Sequence, residues 1–280
     1  MRLSVLMPVY NRESPDFLRE CLASLAAQTV QADEIVIVED GPLGAELKEV
    51  IRRAGATLPV VSVQLLAHVG LGAALREGLD ACRGELVARM DADDVCAPDR
   101  FCRQLNFIER NSRVDVVGGA IAEFRHNPLV VESVRRLPVS GTALTSFAKL
   151  RNPLNHMTVM FRRRAVLDAG SYLPCAGFED YHLWARMLRR GCQLHNLPDV
   201  LVHVRCGNGM QQRRGGFSYL LREVEFQRFL YRTRLVSGPD CVRNLLLRAP
   251  VRLAPAFIRS SFYSRFLREP ASTSGELKIE

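Results

Sequence analysis

Three aspartates follow an apolar run in the first half of the chain. The segment Leu86–Met90 leads directly into Asp91, Asp93 and Asp94. Carboxylates packed this densely repel one another, and a hard divalent cation such as Mn²⁺ or Mg²⁺, which prefers oxygen ligands, would relieve the repulsion. Because alternate residues of an extended segment point the same way, Asp91 and Asp93 can address one ligand. The pattern indicates a metal site at a strand end, with a solvated acidic turn before the helix near Asp99 as the alternative.

A second pair of acids, Glu179-Asp180, opens a helix-like segment that ends at Gly191. A carboxylate held beside a hydroxyl group can act as a general base and take its proton as the oxygen attacks. Alternatively, the two acids only stabilise the helix N-terminus, an effect of ~0.3–1 kcal/mol. Trp184, the only tryptophan of the chain, follows one turn later and belongs either to the floor of a sugar site or to the core.

The elements that must position these residues alternate between apolar and amphipathic segments. The predicted strands are Leu3–Val9, Glu34–Glu39, Val60–Leu65, Leu86–Met90 and Val114–Val117, and the predicted helices are Asp16–Ala27, Gly44–Ala54, Gly72–Cys82 and Asp99–Asn111. Apolar strands separated by helices are typical of a buried parallel sheet, so the fold class is α/β. Ligands of such sheets bind beyond the carboxyl ends of the strands, and we expect four strand ends to converge on one cleft. Besides Asp91, Asp93 and Asp94, the polar residues at these ends are Tyr10, Asn11, Glu39, Asp40 and His68, and Gly70 lies beside them.

Composition narrows the class of protein. With 280 residues, 48% of them hydrophobic, the chain can form a substantial core. Its 8 cysteines contain no Cys-x-x-Cys pair, which predicts reduced thiols in a cytoplasmic protein and argues against a zinc site. We expect no signal peptide, because Met1 leads straight into a strand, and no run is long enough to span a bilayer.

The net charge of +8 is unevenly distributed, because arginines crowd the region after Arg205 and alternate there with aromatic and apolar residues. At helical spacing this mixture suits the surface of an anionic membrane; the alternative is a helical appendage packed on its own domain. A nucleic-acid partner is not expected, since no recognisable binding module is present. Gly70-Leu71-Gly72 lacks the later glycine of a dinucleotide fingerprint, and the chain has no P-loop motif.

Taken in order, these motifs closely resemble those of the family 2 inverting glycosyltransferases with the GT-A fold, notably the bacterial branch that builds exopolysaccharide, capsule and O-antigen repeat units. The resemblance covers roughly Leu3 to Arg214. The motifs that carry it are Val5–Asn11, Val38–Gly41, Gly70–Leu75, Ala88–Asp94, Pro98–Phe101, Asn155–Arg162, Glu179–Trp184 and Arg205–Met210.

The resemblance implies a mostly parallel central sheet flanked by helices. The catalytic domain would span 1–215, with a nucleotide-binding half at 1–118 and an acceptor half at 119–215. A basic amphipathic helical appendage would follow at 216–268, and then a frayed polar tail at 269–280.

The resemblance also implies a nucleotide-sugar site. Pro8, Tyr10 and Asn11 would border the base, and Asp40, helped by Glu39, would accept a hydrogen bond from the uracil. Arg76 would also contribute a local contact to the nucleotide sugar.

The aspartates would serve the diphosphate end of the donor. Asp91 would contact the ribose and share the metal, Asp93 would bind the divalent cation between the phosphates, and Asp94 would orient the metal ligands or the donor sugar. Arg205 would sit on a mobile segment that closes over the diphosphate, together with Arg213 and Arg214.

On the acceptor side, the resemblance implies that Asp180 is the general base and that Glu179 positions it or binds the acceptor. His156 and Trp184 would face the acceptor. The implied function is metal-dependent inverting transfer of a sugar from a UDP-sugar to a glycan acceptor linked to undecaprenyl diphosphate, at the inner face of the cytoplasmic membrane. A nucleotidyltransferase that makes a nucleotide sugar, or a non-catalytic nucleotide-binding subunit of a polysaccharide assembly complex, are the alternatives.

Overall fold

The structure, a computed structural model, describes residues 1–207 and 215–254 and the backbone of residues 269–270. Its strands are β1 (Leu3–Val9), β2 (Glu34–Glu39), β3 (Val60–Gln64), β4 (Leu86–Arg89), β5 (Val95–Cys96), β6 (Val114–Phe124), β7 (Ser133–Arg135), β8 (Met160–Arg162), β9 (Gln193–Arg205) and β10 (Glu269–Pro270). Its helices are α1 (Pro15–Ala26), α2 (Ala45–Ala54), α3 (Leu71–Ala81), α4 (Arg100–Arg110), α5 (Gly141–Ala148), α6 (Arg163–Asp168), α7 (Glu179–Arg189), α8 (Phe217–Arg232) and α9 (Gly238–Leu253). Arg213 and Arg214 lie outside the described residues.

One sheet contains the strands of the described part of the chain. Its strand order is β10-β7-β6-β8-β4-β1-β2-β3, and β9 lies beside β6 and β5. The strands β3, β2, β1 and β4 are parallel, so their carboxyl ends meet at one edge. Beyond β4 the sheet continues through antiparallel pairs of β8 with β4 and with β6.

The strand β6 runs seven residues beyond the predicted end at Val117 and reaches Phe124. The two glycines that follow Val117 allow a close approach of β9. A Cβ atom on Gly118 would lie 2.6 Å from Asn196 Oδ1, and one on Gly119 would lie 2.4 Å from Leu201 Cδ1. Because only glycine fits at such a contact, the pair keeps β6 and β9 side by side.

The sheet separates two hydrophobic clusters. Alternate residues of β1, such as Val5 and Met7, face the cluster that also contains residues of α1 and α2, whereas Leu6 faces the opposite cluster. That opposite cluster includes residues of α3 and α7, among them Trp184. The strands are therefore buried on both faces, which explains their near-continuous apolar sequences.

The helices α8 and α9 pack against α7 through a third cluster. Phe226 of α8 stacks on Phe178 at a centroid distance of 4.5 Å, and Leu230 is fully buried in the same cluster. Asn244 of α9 donates a hydrogen bond from Nδ2 to the Lys149 carbonyl at 2.8 Å. The inner faces of both helices thus belong to the domain that they follow.

The outer faces of α8 and α9 remain apolar and exposed. The large exposed hydrophobic residues there are Phe217, Leu221, Tyr231, Val242, Leu246, Leu247 and Leu253. Within the described part of the chain, no helix is long and apolar enough to cross a bilayer.

Candidate active site

A cleft of about 850 Å³ opens beyond the carboxyl ends of β1, β2 and β4. This volume suits a ligand of nucleotide-sugar size. Of the residues predicted from the sequence, those that line it are Pro8, Tyr10, Asp40, His68, Gly70, Asp91, Asp93, Asp94, His156, Glu179, Asp180 and Arg205. The expected convergence of strand ends is therefore present, and both acidic motifs face one cavity.

Asp40 fixes the loop between β3 and α3. Its carboxylate accepts hydrogen bonds from the backbone N–H groups of Val69 at 2.7 Å and Gly70 at 3.1 Å, and its Oδ2 lies 2.8 Å from His68 Nδ1. The tight turn also depends on Gly41, whose φ is +87° and whose added Cβ would lie 2.7 Å from His68 N. The carboxyl end of β2 and the loop after β3 therefore form one wall of the cleft.

A buried arginine pairs with the aspartate cluster, which consists of Asp91, Asp93 and Asp94. Arg89, the last residue of β4, is 2% exposed and forms an ion pair with Asp91. Its Nε is buried and has no hydrogen-bond partner. Burial, reinforced by the charges of Asp93 and Asp91, raises the pKa of Asp94 well above its usual range.

Glu13 adds a fourth carboxyl group to this end of the cleft. Burial and the nearby charge of Asp93 raise its pKa to about 7. Among the described residues, no group of three or more acidic, histidine or cysteine side chains forms a preassembled metal cage. The donor set is nevertheless all oxygen and mutually repulsive, which fits a hard divalent cation shared with a diphosphate ligand.

The acids Glu179 and Asp180 form the first turn of α7 at the opposite side of the cleft. Asp180 accepts hydrogen bonds from Tyr181 N at 2.7 Å and from Asn152 Nδ2, so its carboxylate has a fixed direction. Burial raises the pKa of Glu179. Gly72 of α3 packs closely against this turn, because a Cβ added there would lie 3.3 Å from the Cβ of Glu179.

His156 lines the cleft beneath these acids. Its Nε2 lies 3.0 Å from the hydroxyl of Tyr172, and burial together with the charge of Arg89 lowers its pKa well below the usual value. A neutral imidazole therefore faces the cavity. Trp184 is 0% exposed and meets His156 edge-on at 6.1 Å, outside the lining of the cleft. The structure therefore places Trp184 in the core and not in the floor of a sugar site.

Arg205 ends β9 and is largely buried. Its guanidinium forms an ion pair with Glu20 and lies 4.0 Å from the ring centroid of Phe17. Its backbone N–H donates to Asp94 Oδ1 at 3.0 Å, and its Nε donates to the Asp93 carbonyl at 3.2 Å. The structure thus places Arg205 on an anchored strand end that fixes the aspartate segment; a contact to the diphosphate stays a prediction.

Three further predicted residues lie outside the cleft lining. Asn11 Oδ1 accepts from Gly44 N at 2.7 Å. The Glu39 carboxylate accepts from Ser62 Oγ at 2.5 Å, and Arg76 is exposed on α3. The first two hold loops and strands that form the cleft.

Sequence reasoning missed several lining residues, namely Glu13, Phe17, Arg89, Tyr219 and Arg222. The spacing of Arg89 and Asp91 in an extended segment was a usable signal, since residues two apart share a face. The two residues of α8 carried no local signal, because they reach the cleft only through packing on α7.

Comparison with known proteins identifies the class. A model of the glycosyl transferase family 2 matches residues 4–170, and the chain therefore belongs to this family. It is 42% identical to the amylovoran biosynthesis glycosyltransferase AmsE of Erwinia amylovora, over 94% of this chain and 98% of that protein. It is 35% identical to the UDP-Gal:alpha-D-GlcNAc-diphosphoundecaprenol beta-1,3-galactosyltransferase of Escherichia coli, over 95% of this chain and 97% of that protein.

Solved structures agree on the fold. S. aureus TarS 1-349 in complex with UDP-GlcNAc superposes with a TM-score of 0.69 at 18% identity, over 94% of this chain and 75% of that chain. The mannosyltransferase PcManGT of Pyrobaculum calidifontis, in complex with GDP-Man and Mn²⁺, gives a TM-score of 0.62 at 18% identity, over 93% and 78%. The predicted GT-A fold and glycosyltransferase function are confirmed.

Proposed function

We propose that the chain transfers a hexose from a UDP-sugar to a saccharide carried on a lipid diphosphate. The observation that carries this proposal is the meeting of the aspartate cluster and the Glu179-Asp180 pair in one cleft of nucleotide-sugar size. The UDP-GlcNAc complex of the TarS structure supports a uridine nucleotide, and the name of the E. coli relative supports a diphosphate-linked acceptor.

Asp93 and Asp91 are the residues proposed to hold a divalent cation. The repulsive, all-oxygen donor set supports this role, and the Mn²⁺ complex of PcManGT is consistent with it. A bound cation would neutralise the charge that grows on the nucleoside diphosphate as it leaves. Arg89 holds Asp91 and Arg205 holds the backbone of Asp93, so this chain orients the ligands before the donor binds.

Asp180 is the proposed general base. The acceptor hydroxyl gives its proton to the Asp180 carboxylate while its oxygen bonds to the anomeric carbon and the bond from that carbon to the diphosphate breaks. A single displacement of this kind inverts the anomeric configuration. The hydrogen bond from Asn152 and the backbone N–H of Tyr181 aim the carboxylate, and Glu179 borders the acceptor.

The exposed apolar face of α8 and α9 is proposed to rest on the cytoplasmic surface of an anionic membrane. Val242, Leu246 and Leu253 recur at helical spacing on α9, and Leu246 is 70% exposed. The exposed arginines Arg228 and Arg232 of α8 supply positive charge beside this face.

The test is transfer from UDP-galactose to a synthetic N-acetylglucosaminyl diphosphate with an undecyl chain, in Mn²⁺ and in chelator. We expect a product with the β configuration, and we expect its formation to require the cation. Asp180→Asn should keep UDP binding and lose transfer, and Asp93→Ala should lose cation-dependent UDP binding. Full turnover by either variant would show that the substituted residue does not have its proposed role. Pyrophosphate release from a nucleoside triphosphate and a sugar phosphate would favour the alternative function, a nucleotidyltransferase.

A further inference from the structure

The first turn of α8 forms the wall of the cleft beside the proposed base. Tyr219 is 4% exposed, and its ring lies against Gly177, where an added Cβ would be 3.4 Å from it. The same ring packs on Phe178 at a centroid distance of 5.5 Å. Because these two residues directly precede Glu179, the position of α8 is tied to that of the base-bearing turn.

A buried charge network holds this wall in place. Glu223, fully buried on α8, forms ion pairs with Arg248 and Arg252 of α9. The guanidinium of Arg252 lies 4.6 Å from the ring centroid of Tyr219. The tyrosine is therefore clamped between α7 and α9, and it offers a rigid support at the edge of the cleft.

Arg222 projects from this support into the cleft lining. Its guanidinium lies 5.5 Å from the Tyr219 centroid, and its Nε makes a 3.4 Å contact to the Ser218 carbonyl of its own helix. The side chain is exposed, and no carboxylate of residues 1–207 or 215–254 pairs with it. In contrast, Arg205 and Arg248 are each neutralised by a glutamate.

Arg222 lies on the side of the cleft formed by Tyr219. Its guanidinium is close to the ring of Tyr219, which itself contacts Gly177 just before the base-bearing turn, whereas the proposed metal ligands Asp91 and Asp93 follow β4. In the proposed reaction the acceptor hydroxyl lies at Asp180, and the acceptor diphosphate is attached at a different atom of the sugar, the anomeric carbon. The exposed apolar residues Phe217 and Leu221, one helical turn apart on α8, precede Arg222 and lie outside the cleft lining.

We propose that Arg222, supported by the ring of Tyr219, binds the diphosphate of the acceptor and thereby selects diphosphate-linked saccharides. This assignment rests on the proposed function and names the part of the acceptor that α8 recognises. A guanidinium suits phosphate oxygens because it offers several N–H donors in one plane. The apolar residues beside it would receive the first carbons of the lipid.

The test measures binding and transfer separately. Calorimetry with undecyl diphosphate, in the presence of saturating UDP and Mn²⁺, reports the diphosphate site without any chemical step. We expect Arg222→Gln to weaken this binding about tenfold, a typical loss for one charge-assisted contact, and Arg222→Lys to retain most of it. Arg189→Gln, an exposed arginine at the far end of α7, is the matched control and should bind as the wild type does.

Transfer assays then compare N-acetylglucosaminyl undecyl diphosphate with the undecyl glycoside of the same sugar, which lacks phosphate. Arg222→Gln should raise the KM for the diphosphate acceptor about tenfold and leave the KM for UDP-galactose unchanged. Equal binding of undecyl diphosphate by Arg222→Gln and wild type, or a raised KM for the donor instead, overturns the assignment. Absence of transfer by the wild type, with Arg222-dependent binding of undecyl diphosphate intact, overturns the donor–acceptor pair and retains the diphosphate site.

Discussion

Gly72→Ala should change the position of the proposed base Asp180, because Gly72 of α3 packs against the first turn of α7. An added Cβ at Gly72 would lie 3.0 Å from the Leu173 carbonyl and 3.3 Å from the Cβ of Glu179, so α7 must shift by a few tenths of an ångström. Overpacking typically costs about 1–3 kcal/mol, whereas alanine gains up to ~1 kcal/mol over glycine within a helix. The net loss of stability is therefore about 0–3 kcal/mol. A misplacement of 1 Å can cost roughly a hundredfold in rate, so a shift of this smaller size should lower kcat about three- to tenfold.

Gly78 of the same helix provides the matched control. A Cβ there would lie 2.4 Å from Leu6 Cδ1 and 2.4 Å from Val38 Cγ2, both in the core and away from the cleft. Gly78→Ala should therefore lower the Tm more than Gly72→Ala does, while kcat per folded molecule stays at the wild-type value. Steady-state transfer kinetics and thermal unfolding of both variants check this. A wild-type kcat for Gly72→Ala, or an equal kcat loss in both variants, would refute the reasoning.

Two further predictions concern polar groups that the sequence motifs did not indicate. Asn152→Ala removes the side-chain donor to Asp180 and should lower kcat about tenfold with little change in the KM for donor; an unchanged kcat would mean that the helix N–H alone aims the base. Burial raises the pKa of Glu13 from 4.5 to about 7, so the folded state binds this proton more tightly than the unfolded chain. Its contribution to stability is present below pH 4.5 and is lost as pH rises towards 7. In chelator, the Tm of wild type should fall relative to that of Glu13→Gln across this range, and parallel profiles would contradict the assignment.

The sheet and its strand ends could be predicted because the information is local. The strands Leu3–Val9 and Glu34–Glu39 match the structure residue for residue, since each is a short apolar run bounded by polar loops. The extension of β6 could not be predicted in this way. Gly118 and Gly119 weaken a strand in isolation, and only the approach of β9 from far along the chain explains them.

The same distinction separates the two sides of the cleft. The proposed donor side is built from strand ends, so the sheet pattern alone gathers Tyr10, Asp40 and the aspartates. The proposed acceptor side also includes Tyr219 and Arg222, which reach the cleft because Phe226 stacks on Phe178, more than forty residues earlier in the chain. No spacing within α8 reports that contact. The predicted boundary at residue 215 separates the helical appendage from the predicted catalytic domain. In the structure, both segments contribute residues to one hydrophobic cluster and to one wall of the cleft.

The charges around the aspartate cluster support the proposed binding of a divalent cation there. Arg89 forms an ion pair with Asp91. Arg205 forms an ion pair with Glu20 and donates a hydrogen bond to the backbone carbonyl of Asp93. These arginines fix the geometry of the cluster, but Asp93, Asp94 and Glu13 still repel one another, as the raised pKa values of Asp94 and Glu13 indicate. In the proposed reaction, the donor diphosphate would add negative charge at the same place. A divalent cation that binds together with the donor would offset both charges, and this supports the proposed role of Asp91 and Asp93 as its ligands.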